Sequence, residues 1–212
     1  MLTFKNILET NYNKHLIQSR KDIDHLHNKL VDAYPIHSKN SKDELNELEG
    51  YTDDSSPINS YLWEDHKEAR HFKVSVDKSI QHIDNVLESH KTPHKLSVYS
   101  GMKENPKERM NDKGIFHHPA YLSTSIEPKT AVDFSISKYT NNLKDNPQKH
   151  ILKIHVPKDH PGAYIDHISS NQGEHEFLLP RGLNLKYKGT VKHLIHEHGE
   201  DIDIHEHHMD II

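Results

Sequence analysis

The 212-residue sequence contains no cysteine, which excludes disulfide scaffolds, catalytic thiols and thiolate metal sites. Hydrophobic residues make up only 33% of it, so we expect a small core. No apolar run approaches the roughly 18 residues that a membrane-spanning helix needs, and the start lacks the apolar stretch of a secretory signal. These absences predict a soluble cytoplasmic protein without a membrane partner.

The charge and the histidine content further restrict the classes of function. The sequence has 27 Lys+Arg and 32 Asp+Glu, a formal net charge of -5, which argues against a generally basic nucleic-acid-binding surface. Local basic patches leave nucleic-acid binding open. Histidine is abundant at 22 residues, so the net charge rises steeply as the pH falls toward about 6.

The order of elements predicts an α+β fold rather than alternating βαβ units. Apolar residues spaced three and four apart predict helices in the first part of the chain, among them 23–30 and 76–87. Between them, a short helix starts at a Ser41/Glu44 capping box and ends at Gly50, and another starts at Ser56. After residue 93 the pattern favours strands, with one further helix at 128–139. The predicted strands are 96–101, 120–125, 151–156, 163–165, 174–179 and 183–187.

Two acidic residues stand out in the segment QGEHEFLLPRG at 172–182. If Glu174 and Glu176 lie on one strand, both carboxylates share a face about 7 Å apart, while His175 and Phe177 face the other way. Two acids would then point into one cleft. The alternative is a strand edge with solvated charges.

A polar strand segment, YLSTS at 121–125, supports the cleft. Ser123 and Ser125 would share a face, with Thr124 opposite. A hydroxyl on that face can orient a carboxylate on a neighbouring strand.

Together with VYSG at 98–101, these motifs resemble the mono-ADP-ribosyltransferases of the exoenzyme-toxin type, the Arg-Ser-Glu class. The resemblance covers roughly residues 51 to 190. It implies the ADP-ribosyltransferase fold, with a helical N-terminal part followed by two packed, mainly antiparallel β-sheets around an NAD cleft. The implied division is a helical arm at 1–50, a catalytic domain at 51–190 and a His-rich strand or tail at 191–212.

The resemblance also implies an activity, the transfer of ADP-ribose from the co-substrate NAD to arginine of a target protein with release of nicotinamide. Glu176 would stabilise the cationic sugar that develops, Ser123 would hold Glu176, and Glu174 would prepare the arginine. The residues implied for NAD binding are Tyr99, Ser100, Gly101, Ser123, Thr124, Ser125, Phe134 and Glu176. For Phe134, a place in the core is favoured over stacking on nicotinamide.

One departure from the family weakens the expected NAD site. Members usually carry Arg where this sequence has Ser100, and that Arg pairs with a phosphate of NAD. A neutral hydrogen bond contributes about 1 kcal/mol, against roughly 1.5–3 kcal/mol for a charged one. Lys103, Arg109 and Arg70 are candidates to replace the charge, whereas Arg181 in the Pro-Arg-Gly turn is expected to be structural.

The two ends of the sequence carry weaker signals. Ile7-Leu8-Glu9 resembles the leaders of proteins packaged into T-even-like phage heads, which implies action in the host cytoplasm on host transcription or translation proteins, or packaging in the virion. The His-x-His pairs after Lys192 can bind Zn²⁺ or Ni²⁺, but a solvated tail is favoured and no metal site is predicted. The rival functions are NAD glycohydrolysis and a non-catalytic virion or metal-binding module.

Overall fold

The computed structural model describes residues 20–63, 73–135, 148–197 and 200–212. The leader tripeptide, Arg70 and the end of the helix expected at 128–139 lie outside these ranges. The helices are α1 (Arg20–Ala33), α2 (Ile36–Lys39), α3 (Lys42–Asp53), α4 (Ser56–Trp63), α5 (Lys73–Ser89) and α6 (Pro128–Ser135), with a 3-10 helix at Pro106–Arg109. The strands are β1 (Leu96–Met102), β2 (Ile115–His118), β3 (Leu122–Ser125), β4 (Gln148–Val156), β5 (Ala163–Tyr164), β6 (Glu176–Leu179), β7 (Leu183–Glu197) and β8 (Glu200–Ile211).

Helix α3 begins at the capping box that the sequence predicts. The backbone N–H of Glu44 donates to the Ser41 hydroxyl at 3.3 Å, and the Glu44 carboxylate accepts from the Ser41 backbone N–H at 2.8 Å. The predicted end at Gly50 is wrong, since the helix continues to Asp53. The Gly50 carbonyl instead accepts the closing hydrogen bond from Asp54 N–H at 3.1 Å.

The described strands form one sheet in the order β2-β7-β8-β4-β1-β3-β6-β5. β4 and β8 run parallel, and the other described strand pairs are antiparallel. The sequence led us to expect two packed sheets, whereas the described strands form one continuous sheet with the parts β2-β7-β8-β4-β1 and β3-β6-β5. They are joined where Tyr99 pairs with Ser125. The α+β fold with helices first is confirmed.

The core lies between this sheet and the N-terminal helices. Buried side chains of α1, α3 and α5, such as Leu30, Leu48 and Ile83, belong to the same apolar cluster as Val98 and Phe177 of the sheet. None of the described helices is both long and apolar enough to cross a lipid bilayer.

The expectation of a solvated His-rich tail is wrong. β7 and β8 form a long antiparallel pair, and β8 is inserted between β7 and β4. Ile204 and Met209 are completely buried, and Glu206 and His207 are nearly so. Ile202 and Ile204 alternate with acidic residues, a period-two pattern that identifies the strand. The division into domains stays a prediction.

Helix α6 crosses β1 so closely that only glycine fits at position 101. A Cβ on Gly101 would lie 2.4 Å from the Ala131 carbonyl oxygen and 2.7 Å from the Ser135 nitrogen. Gly101→Ala must therefore push α6 away from the sheet. We expect a loss of about 1–3 kcal/mol in the free energy of unfolding, measured by urea denaturation.

Gly50→Ala is the matched control for this prediction. Gly50 lies inside α3, and nothing lies within 4 Å of the position that a Cβ would take. Alanine loses less backbone entropy than glycine in a helix, so this variant should gain about 0.5–1 kcal/mol. Equal effects of the two substitutions would contradict the close approach of α6.

Candidate active site

A cleft of about 580 Å³ opens where the two parts of the sheet meet. The ends of β1, β3 and β6 form its floor, and α3, α4 and α6 supply its walls. All the site residues that the sequence predicts line this cleft, namely Tyr99, Ser100, Gly101, Ser123, Thr124, Ser125, Phe134, Glu174 and Glu176. Their chemical roles stay predictions.

Glu176 is the first residue of β6 and pairs with Ser125 across the strands. The side chain is buried, with 8% of its residue surface exposed. Burial raises the pKa of Glu176 to about 7, because a buried carboxylate loses its hydration. A hydrogen bond from Ser123 opposes this rise in pKa, and the nearby charges of Glu174 and Asp166 add to it.

Glu174 does not lie on the strand, so the period-two argument for the two acids is wrong. β6 begins at Glu176, and His175 has a left-handed backbone with φ 53°. The Glu174 carbonyl accepts a hydrogen bond from the Ser125 hydroxyl at 2.7 Å. Both carboxylate side chains nevertheless line the same cleft, because the turn at His175 redirects the chain immediately before the strand.

Hydrogen bonds to Asp166 and to Thr52 hold the loop before β6 in place. One carboxylate oxygen of Asp166 accepts the backbone N–H groups of Gly173 at 3.0 Å and of His175 at 2.7 Å. Thr52 at the end of α3 accepts from Ser170 N–H and from the Asn171 amide, both at 3.0 Å. These contacts position the loop that carries Glu174.

Tyr51 is a cleft residue that sequence reasoning missed. Its hydroxyl accepts from the Asn59 amide at 3.1 Å and hydrogen-bonds the Ser123 side chain. Burial raises the pKa of Tyr51 to about 12. A tyrosine at helical spacing resembles a core residue, so only the position of α3 beside β3 reveals this contact.

Ser100 joins the two parts of the sheet inside the cleft. Its hydroxyl donates to the Ser123 carbonyl oxygen at 3.0 Å, beside the Tyr99 and Ser125 pair. The residue is buried. The hydroxyl is therefore engaged by the protein itself.

Comparison with known proteins places this geometry in a family. The family model described as ADP-ribosyltransferase exoenzyme matches residues 9–206. The chain belongs to that family. The resemblance stated from the motifs is thereby confirmed.

Individual ADP-ribosyltransferases show how far the similarity extends. NAD(+)--arginine ADP-ribosyltransferase EFV of Enterococcus faecalis is 31% identical over 145 residues, which cover 68% of this chain. The match spans only 28% of the length of that curated relative.

Solved structures of ADP-ribosyltransferase toxins share the fold. Plx2a from Paenibacillus larvae superposes with a TM-score of 0.63 at 24% identity, over 89% of this chain and 96% of that toxin. The toxin BECa of C. perfringens, solved with NADH, gives a TM-score of 0.71 at 16% identity, over 90% of this chain and 48% of its own.

The cations that the sequence analysis considered as replacements for an arginine at position 100 lie in different places. Lys103 follows β1 and lines the cleft. The Arg109 guanidinium stacks over the Trp63 ring, 4.2 Å from its centroid. Arg181 pairs with Asp84 at 2.8 Å and is structural, as its turn motif indicates.

Phe134 on α6 is not a core residue, and the favoured interpretation is wrong. It is 57% exposed and lines the cleft. α6 instead buries Ala131, Val132 and Ser135. Stacking of this exposed ring on a planar ligand stays a prediction.

The Glu176 carboxyl is expected to titrate with a midpoint near pH 7, in contrast to about 4.3 for an unperturbed glutamate. The measurement is the pH dependence of its carboxyl ¹³C shift, assigned by the resonance missing in Glu176→Gln. Ser123→Ala should raise the midpoint, because it removes a hydrogen bond to the carboxylate, and Glu174→Gln should lower it. A midpoint below about 5 would contradict the burial of this group.

Proposed function

We propose that this chain is an NAD-dependent protein mono-ADP-ribosyltransferase that modifies arginine. The observation that carries the proposal is the buried Glu176 carboxylate beside Ser123 and Glu174 in one cleft. Membership in the exoenzyme family supports it. The compartment and the host protein that is modified stay predictions.

The proposed reaction is a displacement at the anomeric carbon of the nicotinamide ribose. The carbon–nitrogen bond to nicotinamide breaks, and nicotinamide leaves as a neutral molecule with the bonding electrons. A guanidinium nitrogen of the acceptor forms the new bond and loses a proton. The Glu176 carboxylate, once ionised, stabilises the oxocarbenium-like charge on the ribose, because opposite charges attract strongly in a water-poor site.

Glu174 is the residue we assign to the acceptor. A carboxylate can hold a planar guanidinium by two parallel hydrogen bonds and can accept its proton as the bond forms. Glu174 lies in the loop before β6 and lines the cleft next to Glu176. The name of the E. faecalis relative, an arginine ADP-ribosyltransferase, supports arginine as the acceptor.

Lys103 is the cation that we assign to the NAD diphosphate. It lines the cleft beside Ser100, whereas Arg109 and Arg181 are engaged with Trp63 and Asp84. Loss of one charge-assisted hydrogen bond costs about 1.5–3 kcal/mol. Lys103→Gln should therefore weaken NAD binding about 10-fold or more, measured by calorimetry.

Lys158→Gln is the control for Lys103, since it removes a positive charge on an exposed side chain away from the cleft. NAD affinity should be unchanged there. Equal affinities of the Lys103 variant and the unaltered protein would assign the diphosphate to another group.

The test of the proposed function is mass spectrometry of a bacterial lysate incubated with the protein and NAD. ADP-ribose on arginine side chains of discrete proteins would support the proposal. Modification confined to another residue type would refute the assignment of arginine. Free ADP-ribose without modified protein would indicate an NAD glycohydrolase, in which water replaces the acceptor.

A second candidate function is a non-catalytic module that retains the fold. The observation that favours it is Ser100, where the usual arginine is replaced and the hydroxyl is used within the sheet. This candidate predicts neither heat nor a thermal shift at millimolar NAD.

A further inference from the structure

A buried polar cluster lies behind the loop that precedes β6. His27 of α1, Asp166 and His175 each offer one ligand atom, and these atoms lie within 4.8 Å of one another. The free carboxylate oxygen of Asp166, Oδ2, is 3.8 Å from His27 Nδ1 and 4.0 Å from His175 Nδ1. The Tyr164 hydroxyl stands among them, 2.6 Å from His27 Nδ1 and 3.2 Å from His175 Nδ1.

Asp166 is a buried carboxylate, and none of the ion pairs in the described residues joins it to a lysine or an arginine. Asp166 and His175 are each 4% exposed, and the groups that face Asp166 Oδ2 are the two imidazoles. A buried carboxylate is expensive unless a cation or hydrogen-bond donors compensate it. Two backbone N–H groups compensate Oδ1, and a divalent cation would compensate Oδ2.

We propose that His27, Asp166 and His175 bind a zinc ion. Two imidazole nitrogens and one carboxylate oxygen are a donor set that zinc takes in proteins, with a fourth position for another oxygen. Zinc at about 2.0–2.1 Å from each ligand separates tetrahedral ligand atoms by roughly 3.3 Å. Two of the three separations, 3.8 Å and 4.0 Å, exceed this value by less than 1 Å and all lie within 4.8 Å, so the side chains must draw together around the ion.

Hydrogen bonds hold the Asp166 carboxylate in the orientation that a metal ligand needs. Its Oδ1 is fixed by the Gly173 and His175 backbone N–H groups, which leaves Oδ2 directed at the imidazoles. Hydrogen bonds of this kind orient metal-ligating carboxylates. The Tyr164 hydroxyl hydrogen-bonds both Nδ1 atoms, so the ion would displace it from between them. His27 is partly exposed, which gives the ion a route from solvent.

A zinc ion at this site would link α1, through His27, to the turn at His175 beside the cleft. His175 follows Glu174 and precedes Glu176, and its left-handed backbone forms the turn between them. Metal ligation of this side chain would fix that turn. The binding itself does not depend on the proposed transferase activity.

The histidine cluster on β4 and β8 supplies the control. His150 Nδ1 and His207 Nε2 are 3.0 Å apart, and the His205 ring packs beside that of His150. In a protein with 22 histidines, additional weak zinc binding is expected. His205→Gln removes one imidazole from that cluster and leaves the proposed site intact.

The experiment is calorimetric titration of the full chain with zinc chloride, repeated with Co²⁺ to record the visible spectrum of tetrahedral coordination. We expect one tight site per chain, unchanged in His205→Gln and weakened at least ~100-fold in both His27→Gln and Asp166→Asn. Zinc should also raise the melting temperature of the unaltered protein and not that of His27→Gln.

His27→Gln keeps the test decisive if Asp166→Asn disturbs the loop, because His27 lies on a partly exposed helix face. Circular dichroism checks that each variant is folded. Absence of a saturable zinc site, or equal zinc affinity in His27→Gln and the unaltered protein, would overturn the proposal.

Discussion

Glu176→Gln is expected to lower ADP-ribose transfer by about 10³-fold, since a neutral amide cannot stabilise the positive charge that develops on the ribose. The amide keeps the size of the side chain and its ability to hydrogen-bond Ser123. The measurement is the rate of nicotinamide release at saturating NAD. Retention of more than a tenth of the activity would contradict the role assigned to Glu176.

The same variant should be more stable than the unaltered protein at alkaline pH. The folded-state pKa of Glu176, about 7, lies above the value of an unfolded glutamate. Its contribution to stability is therefore fully present below pH about 4.5 and is lost as the pH rises through 7. At pH 8, Glu176→Gln should gain about 3 kcal/mol in the free energy of unfolding, a gain that disappears at pH 4.

Glu174→Gln is expected to separate two activities of the cleft. Arginine modification should fall about 10²-fold or more, because the amide cannot accept the guanidinium proton. Cleavage of NAD by water should change far less, since Glu176 remains in place. The two rates are measured together, as modified protein and as free ADP-ribose.

Glu88→Gln serves as the control for this separation, because it removes a carboxylate from an exposed position on α5, outside the cleft. Both rates should stay unchanged there. A proportional loss of both rates in Glu174→Gln would instead assign this residue to NAD cleavage itself.

The sequence predicts the order of elements, and which residues line the cleft, better than it predicts their geometry. The Ser41/Glu44 capping box and the helix over 76–87 depend on local spacing, and the structure has both. The placement of Glu174 on a strand failed, because the left-handed turn at His175 depends on Asp166, nine residues earlier. No local pattern encodes that contact.

Burial explains the other places where the structure differs from the prediction made from the sequence. Phe134 has the spacing of a core residue, but the close approach of α6 to Gly101 selects Ala131 and Ser135 for the buried face. β8 was missed because its charged composition masks the alternation of Ile202 and Ile204. Both residues of the pair Tyr51 and Asn59 precede the strands in sequence, so their place in the cleft follows only from tertiary packing.

The insertion of β8 between β7 and β4 has a consequence for how the protein folds. β4 ends at Val156 and its parallel neighbour β8 begins at Glu200, so this edge of β4 stays unpaired until a distant segment arrives. Contacts of such large sequence separation slow folding and leave a strand edge open to other chains. The nascent polypeptide therefore passes through an aggregation-prone interval, which slow synthesis would lengthen and during which a chaperone would protect the open edge.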